Sequence, residues 1–63
     1  MKLFHVETIE QFKIGAWLER QGLAAEDVAV VELVDRYTVR IINAAGQWMD
    51  VECKDGEVKI NQD

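Results

Sequence analysis

Between Val28 and Ile60 apolar and polar residues alternate in four short runs separated by turn signals, the pattern of half-buried strands. Lys54-Asp55-Gly56-Glu57 is the firmest anchor, because Asp-Gly between two alternating runs suits a type I′ turn with positive φ at both central residues. That turn sets Cys53 opposite Val58 and Val51 opposite Ile60. Asn43-Ala44-Ala45-Gly46 suits a type I turn closed by a left-handed glycine, which places Ile41 across from Met49 and Val39 across from Val51. For the first hairpin an odd loop at Val34-Asp35-Arg36 keeps Glu32 off the apolar side, and it sets Leu33 against Tyr37 and Val31 against Val39. The inner face then runs from Ala29, Val31 and Leu33 through Tyr37, Val39 and Ile41 to Met49, Val51, Cys53, Val58 and Ile60. On the outer face Arg40 lies opposite Asp50 and Glu52 opposite Lys59, opposite-charge pairs that played no part in choosing the register.

Upstream, Thr8-Ile9-Glu10-Gln11 fits a capping box, and Gly22 fits the left-handed position just past a helix whose last turn carries Arg20. A helix over Thr8 to Gln21 follows. Leu23 to Asp27 reads as a short turn; a second helix from Ala24 to about Asp35 is the alternative, disfavoured by the β-branched residues from Val28 onward. Leu3 to Val6 is a candidate edge strand. The fold class is therefore α+β, one N-terminal helix packed on a four-stranded antiparallel meander, with residues 1–63 forming a single small domain.

The helix carries two apolar faces, Ile9 with Phe12 and Ala16 on one and Ile14 with Trp17 and Leu18 on the other. Because Gly15 and Ala16 would let the helix sit close to the sheet, the Phe12 face is assigned to the core and the Trp17 face to something else, either a partner or a cover formed by the N-terminal arm and the Leu23 turn. A second lead stands on the outer face of the sheet, where Ile42 and Trp48 oppose each other among charged residues. Sixty-three residues bury only about 60% of their unfolded surface, so a domain of this size usually needs a staple. One cysteine excludes an internal disulfide, and no Cys/His cluster suggests a metal. Self-association, as a homodimer, is the expected remedy.

Chemistry is sparse. The chain has no serine, and His5 and Cys53 have no spacing that implies contact. Asp50 and Glu52, about 7 Å apart on one strand face, have basic neighbours that explain them as ion pairs. No glycine-rich loop opens a helix, so no phosphate cradle is expected. No catalytic residue, cofactor or metal is therefore assigned. Twelve acidic against seven basic residues give a net charge of −5, which disfavours direct nucleic-acid binding. No run has the length of a membrane span, and Met1-Lys2 precedes too short an apolar stretch for a signal peptide, so a cytoplasmic protein is expected.

Neither Val31 to Ile41 nor Trp48 to Cys53 carries a family signature. The order of helix then meander is similar to several small β-rich folds, Sm-like barrels among them, an analogy that brings no residues with it. The functional expectation is a non-enzymatic module, a regulator or accessory factor, that binds another protein or itself through Trp48, Ile42, Trp17, Ile14 and Leu18. The alternative is an acidic mimic of nucleic acid that occupies a basic protein groove, built on Glu26, Asp27, Glu32, Asp35, Asp50, Glu52, Asp55 and Glu57. A very small enzyme or ligand binder is the third class, short of both nucleophiles and pocket volume.

Overall fold

A computed structural model describes residues 5–62, with Ala25 described by its backbone alone. One helix, α1 (Ile9–Arg20), precedes a 3-10 turn at Ala25–Asp27 and four strands: β1 (Val30–Asp35), β2 (Thr38–Ile42), β3 (Trp48–Lys54) and β4 (Glu57–Gln62). The strands form an antiparallel sheet in the order β1-β2-β3-β4, and the helix packs on it, giving the α+β class expected. No second helix forms between Ala24 and Asp35. Of the candidate strand at Leu3 to Val6, the first two residues lie outside the described ones, and His5 and Val6 are in neither helix nor strand.

Local chemistry sets both ends of α1. The Thr8 hydroxyl accepts from the Gln11 main-chain N–H at 3.1 Å, and Gln11 reaches back to accept from Glu7, one residue before the cap, at 2.8 Å. At the other end the N–H groups of Gly22 and Leu23 bond to the carbonyls of Glu19 and Leu18, a Schellman closure that needs the positive φ of +91° at Gly22.

The helix presents the opposite face from the one expected. Ile14 and Leu18 are buried at 0% and 2% exposure, whereas Phe12 and Ile9 are 51% and 70% exposed. The reason is Gln11, which is itself buried. Its side-chain amide donates to the Asp35 carbonyl and the Thr8 hydroxyl to the Arg36 carbonyl, fixing the helix rotation against the β1–β2 turn. At 100° per residue, Ile14, Gly15 and Leu18 fall on the Gln11 side and Phe12 does not. Turning Phe12 inward would break both bonds. Ile14 and Leu18 therefore belong to the core with Val39, Ile41, Val51 and Cys53, and they are not available to a partner. Trp17 is half-buried and packs against this cluster from one side.

Both downstream turns have the expected form. Asp55 and Gly56 take φ of 54° and 78°, and Gly46 takes 86°. The registers Ile41↔Met49, Val39↔Val51, Val51↔Ile60 and Cys53↔Val58 follow from them. The first hairpin differs. Asp35 pairs with Thr38 around a two-residue turn, and an irregularity between Leu33 and Asp35 sets Val34 outside the ladder, so that Leu33 pairs with Val39 and Val31 with Ile41. The extra residue restores the parity that a two-residue turn alone would have reversed. Val31 and Leu33 still face inward, but each partner lies two residues from the one expected.

Candidate protein-docking face

The helix covers one side of the sheet, over β2 and β3, and among the described elements none covers the other. On that open side the strand pairings set Val30, Ile42 and Trp48 side by side across β1, β2 and β3. Alternation in β2 and β3 delivers Ile42 and Trp48 there as expected, and the row includes Val30, a residue not singled out from the sequence. The signal was present: Val30 stands two positions before the outward Glu32. It is half-exposed, while Ile42 and Trp48 are partly buried.

The neighbouring row, Glu32, Arg40, Asp50 and Asn61, is polar. Arg40 and Asp50 form a bidentate pair, with Nε to Oδ1 at 2.7 Å and Nη2 to Oδ2 at 2.9 Å. The hydrogen bond from Arg40, aided by its charge and opposed by burial, holds the Asp50 carboxyl below the usual carboxylate range. The same bond raises the Arg40 guanidinium above its usual value. Held in this way, the guanidinium carbon lies 4.7 Å from the centre of the Trp48 ring, within cation–π range. Trp48 is thus propped on one ring face by a side chain that is itself clamped. Glu52 and Lys59 are opposite each other as expected, but among the described residues they form no ion pair.

The remaining candidates are dispersed. Trp17 borders a depression with Leu23, Gln21 and Met49, and Trp48 lines a second one that shares Leu23, Asp27 and Met49 with it. Cys53 is a buried free thiol beneath the helix. A depression of about 530 Å³ between the start of α1 and the β1–β2 turn is lined by Thr8 and Gln11, which are bonded to the turn, and by Glu10, whose buried Oε1 has no hydrogen-bond partner and lies 3.6 Å from the Arg36 Nε. Among the described residues no group of three His, Cys, Asp or Glu side chains could hold a metal ion, and no helix is long and apolar enough to cross a membrane.

Comparison of the chain with protein-family models, curated proteins and solved structures finds no match.

Proposed function

We propose that the protein is a small, non-enzymatic interaction module, a regulator or accessory factor of the cytoplasm, that engages another protein or a second copy of itself through the open face of its sheet. The observation that carries this reading is Trp48, set in an apolar row with Ile42 and Val30 on a sheet face that no described element covers. Tryptophan is over-represented among residues that dominate binding energy. Because Arg40 already fixes one side of the ring, docking there costs less side-chain ordering than it would at a free tryptophan. The acidic-mimic alternative has less support, since the Asp50 carboxylate is taken up by Arg40.

The test compares the wild-type chain with Trp48→Ala and Ile42→Thr, each checked for an unchanged circular dichroism spectrum. Light scattering from micromolar to millimolar concentration and quantitative affinity capture from cell extract are the readouts. Loss of self-association, or of a captured protein, in both variants supports the open face as the docking surface. A wild-type chain that is monomeric throughout and shares all its captured proteins with the variants refutes it.

A further inference from the structure

On the helix side of the sheet a groove runs between α1 and the edge strand β4. The helix sits over β2 and β3, so β4 projects past it. Phe12, Ala16 and Trp17 from the helix face Cys53, Gly56 and Val58 across a depression of about 270 Å³. Ile60, two residues beyond Val58 on the same side of the strand, is 41% exposed.

Two independent features indicate what such a groove would hold. The first is the backbone of β4. The tight turn at Asp55-Gly56 makes Lys54–Glu57 the hydrogen-bonded pair beside it, so bonded and non-bonded pairs alternate and Cys53–Val58 and Val51–Ile60 are non-bonded. The Cys53 N–H accordingly bonds the Tyr37 carbonyl on its other side. The N–H and C=O groups of Val58 and Ile60 therefore point outward, along the edge of the described sheet. The second feature is charge. In a chain of net charge −5, the charged residues lining this groove are Lys13 and Arg20, both basic. Neither has an ion-pair partner among the described residues, whereas Arg36 and Arg40 have theirs.

We propose that this groove receives an extended segment of another protein, which adds to β4 as a fifth strand and carries acidic residues flanking alternate apolar side chains. The edge supplies main-chain hydrogen bonds, Phe12 and Val58 receive the inward side chains, and Lys13 and Arg20 select acidic flanks. Charge disfavours the chain's own start, which has Lys2 and no carboxylate among residues 1–4, and a second β4, in which Glu57 and Lys59 cancel. The groove lies on the other side of the sheet from Trp48 and does not depend on that face.

The test uses the full chain and a capped seven-residue peptide with glutamate at its first and last positions, valine and leucine at the third and fifth and threonine between, so that the glutamates and the apolar side chains share the face turned toward the helix. A counterpart with lysine ends is the control. Binding is followed by amide chemical shifts. The expected result is saturable shifts at Val58 and Ile60 with the glutamate peptide and about five- to tenfold weaker binding of the lysine peptide, the sum of two exposed ion pairs. Lys13→Glu combined with Arg20→Glu reverses that preference. Ile60→Pro, which removes an edge-facing N–H and no ladder bond, abolishes binding of both peptides. Equal affinity for the two peptides, no binding at millimolar concentration, shifts centred on Ile42 and Trp48, or β4 shifts that depend on protein concentration without peptide would each overturn the proposal.

Discussion

The side-chain amide of Gln11 donates to the main-chain carbonyl of Asp35 at 2.9 Å, joining the first turn of α1 to the β1–β2 turn across a separation of 24 positions. The other end of the same amide accepts from Glu7, so a single buried polar side chain satisfies two backbone groups and sets which helix face meets the sheet. Gln11→Leu keeps the volume and leaves both backbone groups without this partner, at a cost of about 1 to 3 kcal/mol. In a domain this small the thermal midpoint is expected to fall by about 4 to 8 °C per kcal/mol, read by circular dichroism. An unchanged or raised midpoint would show that the bond to Asp35 does not orient the helix.

The helix rotation has a second, independent signature. Ile14→Ala opens a cavity against Val39 and Val51 and is expected to cost about 2 to 5 kcal/mol, comparable to the whole stability of a domain this size. Phe12→Ala removes a larger side chain from a half-exposed position, and about 1 kcal/mol or less is expected. Urea titration of the two variants distinguishes the faces. Equal losses, or a greater loss at Phe12, would contradict the packing described.

What could be read from the chain was whatever depends on neighbours in sequence. Side-chain alternation and the turn residues Gly46, Asp55 and Gly56 identify the buried faces of β2 and β3, because strand parity follows directly from a short turn of known type. Thr8, Gln11 and Gly22 likewise locate the helix ends from local hydrogen bonding. Two features escaped for one physical reason. Gln11 counts as polar by identity, yet it completes the buried stripe of Ile14, Gly15 and Leu18 through a carbonyl far along the chain. Val34 has the composition of an ordinary strand residue, and nothing at that position marks a bulge. Of the candidate site, Ile42 and Trp48 were legible from alternation alone. Ile14 and Leu18 were misassigned together, since choosing the wrong helix face carries all its residues with it.

Arg40 and Asp50 make stability depend on acid. The folded-state pKa of Asp50 is depressed, chiefly by the hydrogen bond from Arg40, so its contribution is present above the ordinary carboxylate value of about 4 and is lost as pH falls through the lower folded value. Arg40 shifts upward, so its contribution persists until strongly alkaline pH. The gap in urea midpoint between wild type and Asp50→Asn is therefore expected to stay constant from about pH 5 to 8 and to narrow below about pH 4. The pair is partly exposed, and added salt should reduce the gap. A gap that holds its full size down to pH 2 would mean that the two side chains are not coupled in solution.

The bulge at Val34 lends itself to a rescue experiment. Arg36 and Tyr37 form the two-residue turn with negative φ at both, whereas the two-residue turns that match strand twist need positive φ at one or both central residues. The Val34 bulge supplies the twist that this turn lacks. Deleting Val34 would leave Leu33 opposite Val39 and Val31 opposite Ile41 in an uninterrupted ladder, but it would press Arg36 and Tyr37 toward the left-handed region at about 1 to 3 kcal/mol each. The deletion alone is therefore expected to lower the thermal midpoint. Adding Arg36→Asn and Tyr37→Gly, residues that adopt that turn readily, should recover much of the loss even though the Tyr37 ring is gone. Nuclear Overhauser contacts between Val31 and Ile41 should persist in both variants. If deleting Val34 were harmless by itself, or if the Asn-Gly turn made matters worse, the bulge would not be compensating for the turn.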